Sequence, residues 1–175
     1  MKSVLSIILV LLLVGCGQVS GEYLTEKNQD QFSLPVMSSN DSFLSFKWIE
    51  QGYNGIFSPI QANIEHSMDK VMERLGEPRA QGHHEGGVYW EYEQATYFFD
   101  PHTNKGVAIA INVEEHQLTS EEMRKQLGTP DQSELNEMHG YWMFVYKLKN
   151  YELVFEAKSE KDILTYAWLR KANKH

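Results

Sequence analysis

Apolar residues recur at helical spacing in the stretch 67–78. Met68, Val71, Met72 and Leu75 stand at i, i+3, i+4 and i+7, one face of a helix. The spacing predicts an amphipathic helix with Ser67 as its N-cap. Gly76 suits the left-handed position after a helix, and Pro78 keeps the helix from resuming. The same pattern returns 52 residues later at 119–130, where Leu127-Gly128-x-Pro130 matches Leu75-Gly76-x-Pro78. There Thr119 and Glu122 make a capping box, and Leu118 and Met123 occupy the positions of a hydrophobic staple.

After each helix the pattern changes from helical spacing to alternation. Strands are predicted at 88–93, 95–100 and 107–113, and again at 141–148, 151–157 and 163–169. Tyr92 corresponds to Tyr146 and Phe99 to Phe155, and 107–111 corresponds to 163–167. The order helix–strand–strand–strand, twice, predicts an α+β fold. Two tandem repeats, about 60–113 and 114–170, would form one antiparallel sheet with the helices on one face. Ahead of them, a helix from Asn40 or Asp41 to Gln51 would bury Phe43, Phe46, Ile49 and Tyr53 and end at Gly52. Residues 56–60, broken by Pro59, read as an edge strand or loop, and 79–87 reads as a polar loop.

Alternation also exposes a surplus. Trp90, Tyr92, Tyr97 and Phe99, with Phe144, Tyr146, Leu153 and Phe155, fill one face. The opposite face still carries Tyr89, Phe98, Met143, Val145 and Val154. A solvated sheet face is normally polar. Either loops or the N-terminal segment cover these residues, or they form an apolar patch that binds a partner. Tyr89, Phe98, Met143 and Val154 are the candidate binding residues.

The N-terminus changes the picture most. Lys2 followed by the apolar run 7–14 makes a signal peptide, too short to span a membrane as a helix. It ends in Leu13-Val14-Gly15-Cys16, which resembles the lipobox of bacterial lipoproteins. In that family the cysteine is acylated and becomes the new N-terminus; two or three acyl chains give stable anchoring. Residues 1–15 are thus a signal peptide, 16–40 a lipidated cysteine with a polar flexible tether, and 41–175 the globular domain. Cys16 is the sole cysteine of the chain, so an internal disulfide and a CxxC redox site are excluded. The formal charge of −8 becomes −9 once the segment holding Lys2 is removed. Such an acidic chain argues against a nucleic-acid partner. The 42% hydrophobic content suits a packed domain.

A lipobox, a spacer, a helix running into Gly52 and Gly55, and paired helix-Leu-Gly-x-Pro units together resemble the YjgB-like family of bacterial lipoproteins, a domain of unknown function. More distantly the arrangement is similar to the tandem-repeat architecture of the β-lactamase inhibitor proteins and the small outer-membrane assembly lipoproteins. The resemblance covers about 41–170. It implies the fold and a surface location, and it carries no catalytic residues or cofactor. The inhibitor proteins' disulfides are absent here, so β-lactamase inhibition does not carry over.

Catalytic signatures are sparse. Gly-x-Ser-x-Gly and a phosphate-cradling Gly-Lys-Ser/Thr loop are absent. The turn 100–106 fails the calcium-loop pattern, because Lys105 replaces the required glycine. His83, His84, Glu85 and His102 would need a loop and a hairpin to meet before they could hold zinc. The expected function is therefore a non-catalytic lipoprotein, anchored to the bacterial cell membrane through Cys16 and facing away from the cytoplasm. It would bind an envelope protein or a wall component. The alternative is an envelope enzyme or metal-dependent hydrolase using the His83/His84 loop.

Overall fold

Thr119 sits at φ −93° and ψ 159°, outside the helix it caps. Its hydroxyl accepts from the Glu122 amide, and Glu122 Oε2 accepts in return from the Thr119 amide at 2.9 Å. The computed structural model describes residues 42–172. The expectations for Cys16, the signal peptide and the tether lie outside those residues. The helix that follows Thr119, α3 (Ser120–Leu127), buries Met123 and Leu127. Its counterpart α2 (Met68–Leu75) is capped by Ser67 and buries Val71. Both end at a glycine of positive φ, Gly76 at 74° and Gly128 at 87°. Their ψ values, −159° and −170°, lie outside the expected left-handed helical region, in backbone space open essentially to glycine alone.

The N-terminal helix is shorter than its apolar stripe predicts. α1 spans Lys47–Gly52, and Leu44, Trp48 and Ile49 face the core while Phe46 and Tyr53 are exposed. Six residues cannot carry a four-position stripe, so Leu44 reaches the core from the bend before the helix. Gly52 lies against Leu148, leaving no room for a Cβ. The pair β1 (Ile56–Phe57) and β2 (Ala62–Asn63) forms a small ladder around a 3-10 turn.

The main sheet has eight antiparallel strands where six were expected. They are β3 (Ala80–His84), β4 (Gly87–Glu91), β5 (Thr96–Phe99), β6 (Gly106–Asn112), β7 (Gln132–Asn136), β8 (Tyr141–Leu148), β9 (Tyr151–Ala157) and β10 (Leu164–Lys171). The added pair, β3 and β7, are the two edges of the sheet. Each is polar and largely exposed, so it carries no alternating apolar signal. The ladder to its neighbour holds it in place. The order β3-β4-β5-β6-β10-β9-β8-β7 joins two four-stranded meanders through β6 and β10.

The core lies on one face of this sheet. Trp90, Tyr97, Phe99, Ile109, Phe144, Tyr146, Leu153, Phe155 and Leu169 meet Val71, Met123, Trp48 and Phe57 there. Tyr92 donates its hydroxyl to the Gly76 carbonyl at 3.0 Å, and Tyr146 does the same to Gly128 at 2.9 Å. Each helix end is thereby tied to the sheet.

Candidate functional site

The other face is concave, and the curl follows from strand geometry. Adjacent strands rotate by roughly 20–25°, so eight strands accumulate about 150°. The β3–β4 hairpin tip and the β7–β8 tip sit at opposite edges and opposite ends of the sheet, which makes them diagonal corners. Twist brings those corners together. Glu85 Oε1 and His139 Nε2 meet at 3.1 Å, and the His84 and His139 rings lie 6.4 Å apart.

Beneath this bridge is a cleft of about 990 Å³. A row of rings crosses it. Tyr141 lies 6.2 Å from Tyr166, Tyr166 6.5 Å from Trp168, Trp168 5.4 Å from Phe98, and Phe98 6.4 Å from Tyr89. The rings come from four strands, β8, β10, β5 and β4, and strand alternation aims them at one face.

Charge is set among the rings. Trp168 Nε1 donates to Glu156 Oε2 at 2.9 Å, fixing the indole plane. Burial raises the Glu156 carboxyl above its ordinary pKa; the Trp168 bond and the charges of Arg170 and His139 pull the other way. Arg170 Nε bonds Glu152 Oε2 at 2.8 Å. Glu91 also lines the cleft, and Met138, 82% exposed, stands on the β7–β8 tip.

The sequence-derived binding residues divide. Tyr89 and Phe98 line the cleft as rings. Val154 lies on this face but is 1% exposed, so it forms the base beneath the rings. Met143 does not line the cleft: β7 runs alongside it, and its sulfur accepts from Asn136 Nδ2 at 3.7 Å. The outer set chosen from sequence omits Tyr166, Trp168, Glu156 and Arg170. Their signal was available, since Tyr166, Trp168 and Arg170 alternate with the buried Ala167 and Leu169.

The His83-His84-Glu85 run belongs to a hairpin, so His83 and His84 point to opposite faces of the sheet. His84 packs near Phe98, with ring centroids 6.0 Å apart. His102 sits in the β5–β6 turn, where its amide donates to Asp100 Oδ1 at 2.8 Å. Among the described residues no three His, Cys, Asp or Glu side chains are grouped to hold a metal ion.

Residues 47–169 match the model of DUF4309, a domain of unknown function. The fold is similar to that of a DUF4309 family protein, YjgB, from Bacillus subtilis subsp. subtilis str. 168. The TM-score is 0.57 at 18% identity, over 73% of this chain and 98% of that one. A second solved structure, a cysteine-rich secretory protein from Staphylococcus aureus subsp. aureus Mu50, aligns at a TM-score of 0.41 and 9% identity. That alignment covers 62% of this chain and 43% of the other. No curated protein matches the sequence.

Proposed function

We propose that this chain, which belongs to the DUF4309 family of unknown function, is a lipid-anchored, non-catalytic binding module of the bacterial envelope. Its ligand, a wall component, would lie in the concave face of the sheet. The observation that carries this reading is the cleft: a row of five aromatic rings beneath a bridge between two hairpin tips. Pockets lined by rings with a few placed polar groups are the common form of ligand site. A concave trough suits a narrow ligand better than the flat face of a folded protein. The Leu13-Val14-Gly15-Cys16 sequence supports anchoring, and the polar stretch that follows would let the cleft reach outward from the membrane.

We also read the two meanders as copies of one duplicated helix–four-strand unit. Matched details support this. Ser67 and Thr119 cap equivalent helices, and Gly76 and Gly128 share unusual dihedrals. Ser67 bridges Lys105 as Thr119 bridges Ile163, and the Gly106 amide donates to the His66 carbonyl as the Leu164 amide does to that of Leu118. In this reading the two hairpin tips are equivalent corners that meet over the middle of the sheet.

The test is co-sedimentation of the full chain with purified wall sacculi. Trp168→Ala and Tyr166→Ala should each reduce the bound fraction several-fold while the circular dichroism spectrum is retained. Equal binding by both variants would reject the cleft as the site. For the anchor, Cys16→Ser should abolish incorporation of labelled palmitate; continued labelling would reject lipidation at Cys16.

A further inference from the structure

We propose that the cleft recognises a peptide carrying a primary alkylammonium side chain, with Glu156 as the counter-ion and the Trp168–Tyr166–Phe98 rings as its platform. This rests on the reading of the cleft as a binding site and names the ligand's chemistry.

The argument is one of unmatched charge. Three acidic groups and two basic groups bear on the middle of the cleft. Arg170 is bonded to Glu152, and His139 is bonded to Glu85. Glu156 is left with a neutral donor, the Trp168 indole N–H, on one of its oxygens. Among the described residues, no lysine or arginine nitrogen lies within ion-pair distance of it. A part-buried carboxylate pays for desolvation unless a cation answers it, and its raised pKa records that cost. The second oxygen is free to accept from a ligand.

The surroundings select an organic cation over a hydrated metal ion. Trp168 bonds the carboxylate, Tyr166 pairs with Glu156 across the ladder, and Phe98 lies 5.4 Å beyond Trp168; aromatic faces attract ammonium groups. They also cover the methylene stem that carries the charge. The bridge above the cleft favours a slender ligand, and an extended peptide would run beneath the hairpin tips. One further carboxylate, Glu91, lines the trough, and its sign agrees with the chain's net charge of −8.

The experiment titrates the full chain with Nα-acetyl-lysine methylamide, followed by calorimetry and indole fluorescence. The neutral Nε-acetylated analogue serves as comparison. Saturable binding of the amine, with the analogue about tenfold weaker or more, is the expected result. Glu156→Gln keeps an acceptor for the Trp168 N–H. It should bind both compounds with similar, weak affinity. Equal binding of the two compounds to the unaltered chain, which needs no variant to fold, would overturn the proposal. If neither compound binds while sacculi are still held through Trp168, the ligand class is wrong and the cleft reading stands. If sacculus binding is also indifferent to Trp168→Ala, both are wrong.

Discussion

Glu85 and His139, 54 residues apart, join two diagonal corners of one sheet at 3.1 Å. Neither side chain is buried: Glu85 is 60% and His139 41% exposed. An exposed pair of this kind contributes little to stability, about 0.5 kcal/mol or less. Its effect is on the shape of the cleft, because it links two hairpin tips that share no ladder. His139→Ala should therefore leave the urea midpoint nearly unchanged and speed amide exchange at 84–87 and 136–140. Unchanged exchange at both tips would show that sheet twist alone holds the corners together.

The glycines after the two helices give a stability prediction of a different kind. At Gly76 and Gly128 an added Cβ would meet nothing within 4 Å, so space is not the constraint. The backbone conformation is: positive φ with ψ near ±180° is penalised for every residue with a side chain. Gly76→Ala and Gly128→Ala should each cost about 1–3 kcal/mol by denaturant unfolding, and valine at least as much. A neutral alanine at either position would mean that the helix ends relax without strain.

The core was legible in the sequence because two periodicities encode it. Met123 and Val71 lie on helical stripes, and Phe99, Phe155, Trp90 and Phe144 alternate along strands; all are buried as the pattern requires. β3 and β7 were not legible, because Ala80–His84 and Gln132–Asn136 are polar and largely exposed, and backbone pairing rather than an alternating apolar face makes them strands. The aromatic surplus opposite the core was visible, but its shape was not. A cleft made by cumulative twist is marked by no single residue, and the Glu85–His139 contact depends on the whole sheet between them. Met143 was misplaced for a related reason: it lies on the right face but beside a strand the sequence did not reveal.

The two meanders should not fold separately. β6 pairs with β10 from Ala108↔Arg170 to Asn112↔Tyr166, so a fragment ending at Glu115 presents a bare central edge. The N-terminal helix adds a second dependence. It precedes the first meander yet packs on the second, with Trp48 5.7 Å from Phe155 and Gly52 against Leu148. The fragment 42–115 should show no cooperative thermal transition and a poorly dispersed amide spectrum. A sharp transition from it would establish an independently stable half and contradict the single sheet as the folding unit.

Glu156 supplies a pH dependence with opposite signs for stability and for capture of an amine. Its carboxyl is raised above the ordinary value of 4.5, with burial as the largest cause. A group whose folded pKa is raised stabilises the fold below its unfolded pKa. That contribution is lost as pH rises through the folded value. Unaltered protein should therefore lose stability relative to Glu156→Gln across the weakly acidic range above about 4.5. Asp100 and Glu122 act in the reverse sense. Amides of His102, Thr103 and Thr119 lower their pKa values, so their stabilisation is present above the unfolded pKa and lost as pH falls through the folded one. Both proteins share that loss, so the difference between them isolates Glu156. The groups facing it are Tyr166, Trp168 and Arg170 from β10, Glu152 from its own strand, Tyr141 and Met143 from β8, and His139 with Glu85 from the hairpin tips. Binding of an alkylammonium requires the ionised carboxylate and should strengthen over the window in which relative stability falls. Denaturant midpoints and amine affinity measured over the same pH series should move in opposite directions. If they rise together, Glu156 is not the group that meets the ligand.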